Sequence, residues 1–276
     1  MRACRDAEAA ALIRRAFDRL RELQRRYDAI GGPTLAGGVT LYGFLALFAL
    51  LVLGVAVLGF VSADNSHLAA DITRELGLTG DAAKIVTDSV GAAQRSRSLT
   101  TVVGVVGIIW LGSSFALVVA NAFDAAWHVP GRGWRDRVRG LGWLLGAGVL
   151  GVTALGATSL WRLLPGLFAP LVLVTSLAGN AALWMWTSWL LPNRPLIDWR
   201  VILVPAVLAA LALEVLKVVG AYVVPRYVER SSELYGTIGV VFAILLWLLV
   251  LGRVVVYVAV IEAWRGERAE PRPQLE

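Results

Sequence analysis

Residues 201 to 224 read VILVPAVLAALALEVLKVVGAYVV, with Glu214 and Lys217 as their only charged side chains. A helix needs roughly 20 apolar residues to cross the hydrocarbon core of a bilayer, so this stretch is long enough to span one. Five more stretches read the same way. The six lie near Leu35 to Val61, Leu99 to Trp127, Gly140 to Leu164, Leu167 to Leu191, Val201 to Val224 and Gly236 to Ile261. Inside hydrocarbon no water satisfies free backbone groups, so each must be a helix and not an open strand. The whole composition agrees. Of 276 residues, 58% are hydrophobic and 17% charged, with a mean hydropathy of +0.69; a soluble domain needs more polar surface to cover its core. The expected fold is all-α, a polytopic membrane protein with six transmembrane helices.

The chain divides into three parts. Residues 1 to 34 form a basic arm, too long and too charged for the n-region of a cleaved signal peptide and expected to be retained. In it Ile13, Phe17, Leu20, Leu23 and Tyr27 recur at helical spacing among Arg14, Arg15, Arg19, Arg21, Arg25 and Arg26. That pattern predicts a basic amphipathic helix, lying either on the membrane surface or on the protein's own face. Gly31, Gly32 and Pro33 break it. Residues 35 to 261 are the transmembrane domain. Its loop 62 to 98 repeats Leu68, Ile72 and Leu76, then Ile85, Val86, Val90 and Ala93, as two short amphipathic helices outside the membrane would. Pro165 and Gly166 join the third and fourth spans as a tight hairpin. Residues 262 to 276, with Pro271 and Pro273, are expected to be a disordered tail.

An even number of crossings puts both termini on one side. That side would hold eight basic residues in the arm, four between spans two and three, two between spans four and five, and three in the tail. The other side would hold four in the loop after span one, Arg162, and two after span five. The excess marks the terminal side as cytoplasmic. Trp127, Trp189, Trp199 and Trp264 sit at that level, as an interfacial belt does. The net charge of +6 is thereby explained without nucleic acid. One cysteine, Cys4, and two distant histidines, His67 and His128, do not support a zinc site.

Ionised side chains within spans are expensive, about 2.5 to 3.5 kcal/mol each at the centre of a helix, so those present need a reason. Glu214 and Lys217, three residues apart, share a helical face. Ala210 and Ala221 lie on it too, small enough for a neighbouring helix to approach. Arg253 on span six and Asp124 on span two complete a set of zero net charge, which predicts a polar line through the bundle. Either a structural ion-pair network or a solvated path or headgroup site explains it; Lys217 and Arg253 could also snorkel to an interface. On span four Ser176, Asn180 and Thr187 share a face, to line the same path or to hydrogen-bond a neighbouring helix. Gly142 and Gly146 make a GxxxG on span three, a packing motif. Arg132, Arg135, Arg137 and Arg139, with Arg194, form a basic rim that either holds anionic headgroups or serves as a topology signal.

The stretch LLPNRPLIDWR, continuing into ALEVLKVVGAY, resembles the junction of spans four and five in the YihY/BrkB family of bacterial membrane proteins, formerly described as ribonuclease BN. Pro192, Asn193, Arg194, Trp199, Glu214, Lys217 and Tyr222 carry the resemblance. Tyr235, Gly236 and Thr237 opening the last span, Leu246 and Trp247 within it, and Ser113 and Ser114 leading to Trp127 extend it to about Leu35 to Ile261. In the last span Val260 stands where the family has a glutamate, with Glu262 two residues on. The resemblance implies six helices and a location in the bacterial cytoplasmic membrane, and it supplies no activity.

No phosphate loop or nucleotide fingerprint is present, which excludes ATP-driven transport by this chain alone. A metal-dependent nuclease needs clustered carboxylates or histidines around an ion, and the acids here are scattered, so the ribonuclease label finds no support and no cofactor is expected. The partners expected are membrane lipids and no nucleic acid. A transporter or translocator of a lipid or other amphiphilic anion is the first expectation. The alternative is a non-transporting membrane scaffold that maintains the envelope.

Overall fold

The computed structural model describes residues 2–61, 102, 104–131, 133–162, 169–193, 198–235 and 237–269. It is all-α, with no strand among the described residues. The helices are α1 (Arg2–Ala29), α2 (Gly32–Val61), α3 (Ser113–Trp127), α4 (Trp134–Arg162), α5 (Ala169–Leu190), α6 (Trp199–Tyr235) and α7 (Thr237–Ala269). A π-helical turn, Ile108–Gly112, leads into α3. Five segments are long and apolar enough to cross a membrane: Gly32–Gly54, Gly104–Trp127, Leu171–Leu190, Trp199–Gly220 and Val241–Ala269. The stretch Gly140 to Leu164, read as the third span, coincides with α4 up to Arg162 and ends outside the described residues. The loop 62 to 98, the Pro165 and Gly166 turn, Arg132, Arg194 and Gly236 also lie outside them.

The chain packs as two units, Met1–Leu41 with Ala116–Glu276, and Tyr42–Phe115. In the smaller unit, glycines let helices approach. A Cβ at Gly104 would lie 3.2 Å from the backbone of Leu53, and one at Gly107 would lie 3.5 Å from Ala49. The π-helical turn disturbs the regular backbone ladder there, and serine hydroxyls fill in. Ser114 Oγ donates to the Trp110 carbonyl at 2.7 Å and Ser113 Oγ donates to it at 3.0 Å.

In the larger unit α2 and α7 run antiparallel. Gly252 sits so close to α2 that a Cβ would be 2.6 Å from the Ala36 carbonyl oxygen, and Thr40 Oγ1 donates to the carbonyls of Ala36 at 2.7 Å and Leu248 at 3.4 Å. Aromatic rings seated on glycines recur as a packing device. Trp186 covers Gly146 between α5 and α4, Trp247 covers Gly220 between α7 and α6, and Trp127 covers Gly266 between α3 and α7. Each ring occupies the room a Cβ would need, so the glycine sets the distance between helices. Ala206, Ala209 and Ala210 are wholly buried on α6; of the expected pair Ala210 and Ala221, the side chain of Ala221 lies outside the described residues.

The arm is a helix, and its last turns grip α7. Gly31 takes a left-handed φ of +69°, which only glycine adopts without cost, and ends α1. The Tyr27 ring then stacks on Tyr257 with centroids 4.4 Å apart. Tyr257 Oη donates to Gln24 at 2.6 Å, and Arg26 bonds Glu267 at 2.8 Å and Glu22 at 3.0 Å. Burial works against the Arg26 charge, yet the hydrogen bonds and charges of Glu22 and Glu267 outweigh it and hold its pKa above the ordinary value. Further back Phe17 and Leu20 are exposed. The arm thus docks on the protein by its end and leaves Phe17 and Leu20 uncovered.

Of the tail expected over residues 262 to 276, residues 262 to 269 instead continue α7, with Glu262 completely buried, and residues 270 to 276 lie outside the described residues. The helix persists because its end is held: Arg268 lies 3.8 Å over the Trp264 ring, and Glu267 binds Arg26.

Candidate functional site

Two helices bring four polar side chains together. Ser176 and Asn180, one turn apart, face α6 from α5; Glu214 and Lys217, one turn apart, face back. Glu214 Oε1 accepts hydrogen bonds from Ser176 Oγ at 2.7 Å, Asn180 Nδ2 at 2.7 Å and Lys217 Nζ at 2.8 Å. Lys217 Nζ also donates to Ser176 Oγ at 3.0 Å, so the hydroxyl relays between ammonium and carboxylate. The other carboxylate oxygen, Oε2, accepts none among the described residues. Burial is uneven. The Glu214 side chain is 17% exposed and that of Lys217 is 52% exposed. At a rise of about 1.5 Å per residue, Glu214 lies about 22 Å along α6 from Trp199. This places it well inside the apolar segment Trp199–Gly220.

The expected polar line does not form as a whole. Asp124 belongs to a different constellation at the far end of α3. It is 4% exposed, and its Oδ1 accepts the backbone N–H of Asn193 at 2.7 Å. Asn193 Nδ2 donates to the Pro130 carbonyl at 3.1 Å, and Arg139 Nη1 donates to Asn193 Oδ1 at 3.3 Å. One asparagine therefore ties together the end of α3, the loop after it, the start of α4 and the chain leaving α5. Arg253 is exposed on α7, near Tyr27, and makes no ion pair among the described residues. The reason for the split is the facing of each helix: α6 presents Glu214 to α5, while the buried face of α7 carries Val255, Val256 and Ala259 and turns Arg253 outward.

The remaining expected residues fall as follows. Arg139 is half-buried and engaged with Asn193, whereas Arg135 and Arg137 are exposed. Arg137 lines a cavity of about 560 Å³ with Asn121, Trp134 and Asp136. Pro192 is buried beside Asn193. Trp199 is exposed, as is Trp189, whereas Trp127 turns inward onto Gly266. Trp247 is the ring seated on Gly220. Tyr222 and Tyr235 lie on α6. Thr187 bonds α4 instead of α6, accepting from Trp143 Nε1 at 2.9 Å. Among the described residues no three His, Cys, Asp or Glu side chains come together to hold a metal ion.

Two features have a structural role that sequence reasoning missed. Glu262, noted in sequence only as the acid two residues after Val260, is completely buried inside the protein. His128 ends α3 with a left-handed φ of 55°, where glycine is usual. Its N–H reaches the Ala125 carbonyl at 3.2 Å and that of Val129 reaches Asp124 at 3.0 Å, the paired bonds of a Schellman turn.

A family model described as "Virulence factor BrkB" matches residues 23–276. The chain is 24% identical over 248 residues to "Inner membrane protein YhjD" of Escherichia coli, covering 77% of this chain and 71% of that protein. It is 29% identical over 272 residues to a "UPF0761 membrane protein" of Chromohalobacter salexigens, covering 90% of this chain and 63% of that protein. No solved structure matches. With its apolar helices and a family match running through the Asn193 node and the Glu214 cluster to the last residue, the chain is a membrane protein and belongs to the BrkB family.

Proposed function

We propose that this protein moves a lipid or other amphiphilic anion across the bacterial cytoplasmic membrane, with Lys217 receiving the headgroup. The observation that carries this reading is the ion pair inside α6. A pair that only fastens two helices needs neither partner accessible, but here half of the lysine is exposed while Ser176 and Asn180 hold its carboxylate partner in place. An arriving anion can compete for the ammonium, and the two polar groups of α5 keep Glu214 satisfied meanwhile. The basic rim contributes less than its sequence suggests, because Arg139 is occupied with Asn193.

The same reading has six crossings with both termini cytoplasmic. Support comes from α1, the start of α2 and the end of α7. Ala36 and Thr40 meet Gly252 and Leu248, and Arg26 meets Glu267, so the chain enters and leaves the membrane on one side. That pairing favours an even number of crossings, with α4 as the sixth in this reading, and the basic excess favours the cytoplasm as the side of both termini.

The test is reconstitution of the full chain in vesicles with headgroup-labelled phosphatidylglycerol on one leaflet. Transfer faster than in empty vesicles, lost in Glu214→Gln and in Lys217→Met at equal protein levels, is expected. Unchanged transfer in both variants would remove the mechanism. A wild-type protein that transfers nothing would favour the scaffold reading, in which the same four side chains only fasten α5 to α6.

A further inference from the structure

A second constellation on the same helices faces elsewhere. Ala182, Met185, Trp186 and Trp189 recur at three- and four-residue spacing on α5 and form one stripe. With Leu150 of α4 and Asp198, Trp199 and Ile202 of α6 they line an open groove of about 670 Å³. Ile202 is its buried floor, and Trp189 and Trp199 stand exposed at its mouth, at 58% and 57%.

The groove has a direction. Gly142 faces Leu190 and Gly146 faces Trp186, so α4 and α5 are antiparallel and Leu150 lies level with Ala182. Eight residues separate Ala182 from Leu190, so the slot runs about 12 Å down the helices. The mouth is polar and the depth is not. At the mouth, Asp198 caps α6 by accepting the Arg200 N–H at 3.3 Å, and the Arg200 guanidinium lies 5.6 Å from the centre of the Trp199 ring. The tryptophans mark this end as the level of the lipid headgroups.

We infer that this groove binds one phospholipid whose headgroup carries both a phosphate and an ammonium, with an acyl chain along the α5 stripe. Among the described residues the mouth carries the Asp198 carboxylate in its lining, with the Arg200 guanidinium two residues on, beside the Trp199 ring. A purely anionic headgroup that reached Arg200 would also meet the Asp198 carboxylate. A dipolar headgroup meets both favourably, phosphate to Arg200 and ammonium to Asp198, with the exposed faces of Trp189 and Trp199 attractive to the ammonium as well. This inference stands apart from the translocation reading: a lipid held here stays bound whether or not the protein moves it.

Native mass spectrometry of the full chain released from vesicles of equal phosphatidylethanolamine and phosphatidylglycerol tests it. The expected result is one retained phosphatidylethanolamine, at least tenfold over phosphatidylglycerol. Asp198→Asn keeps a helix cap and should abolish the preference, and Arg200→Gln should lower retention of both lipids. Ala182→Trp fills the slot and should leave a monodisperse protein with no retained lipid. Retention that mirrors the vesicle composition would overturn the inference. So would a lipid that survives Ala182→Trp, or a dimer that buries the tryptophans in place of lipid.

Discussion

The Asn193 node and the Glu214 cluster are both polar knots tied between helices of an apolar bundle, and they are built on opposite plans. At the node, a buried carboxylate meets a backbone N–H, and a side-chain amide meets a backbone carbonyl. Such partners are fixed by the fold, so the node holds the chain in one path. The Glu214 cluster consists of side chains alone, and its cation is half exposed. Its members can exchange partners without moving a helix. A buried polar group bonded to backbone serves shape, and an accessible one bonded to side chains can serve a ligand.

The largest effect expected is at the node. Asn193→Ala keeps the backbone N–H that meets Asp124 but leaves the Pro130 carbonyl and Arg139 each short of a partner, at a cost of about 3 kcal/mol. A fall in thermal midpoint in detergent reads it; a loss no larger than that of a surface substitution would break the contrast between the two knots. Helix spacing, which neither knot controls, gives the next. In Gly252→Ala the new Cβ meets the Ala36 carbonyl, a backbone atom, and overpacking of this kind costs about 1 to 3 kcal/mol. Gly37→Ala, with nothing within 4 Å, should be neutral or slightly stabilising, and equal losses in the two would show that α2 and α7 are not in contact there.

At the cluster, stability and activity should separate. Glu214→Gln is expected to cost about 1 kcal/mol, the scale of interhelical polar contacts in membranes, and Lys217→Met less, while both abolish lipid transfer. If Lys217→Met costs as much stability as Asn193→Ala, the lysine is structural and the two knots are alike.

The smallest effect is at Tyr27, whose buried hydroxyl has no hydrogen-bond partner among the described residues. Tyr27→Phe should be neutral or slightly stabilising, since it removes an unsatisfied polar group and keeps the stack on Tyr257. Burial first, then the neighbouring Tyr257, raises the Tyr27 pKa from its ordinary 10.0. A phenol that stays neutral longer in the folded chain than in the unfolded one gives its full stabilisation below about pH 10 and loses it as the pH rises beyond. Wild-type stability should therefore decline in that window more than that of Tyr27→Phe.

Helical periodicity made much of this legible. The spacing of Ser176 to Asn180 and of Glu214 to Lys217 already places each pair on one face, and the apolar run around Glu214 demands a partner for it. Periodicity says nothing of which faces meet. Asp124 and Asn193 are 69 residues apart, and only the packed helices bring them together. Arg253 looks like a member of the polar set in sequence because the buried side of α7 is not marked by a stripe; apolar residues surround it on every side. The end of α7 is hidden in sequence for a related reason: charged residues from Arg265 onward look like tail, yet Glu267 and Arg268 are fastened by Arg26 and Trp264.

The central claim is that Glu214 depends on α5 and not on α7, and a double-mutant cycle of Asn180→Ala with Glu214→Ala, read as unfolding free energy in detergent, tests it. A coupling of about 0.6 to 1.7 kcal/mol is expected, with additive effects for Glu214→Ala combined with Arg253→Ala. Additivity with Asn180 together with coupling to Arg253 would contradict it.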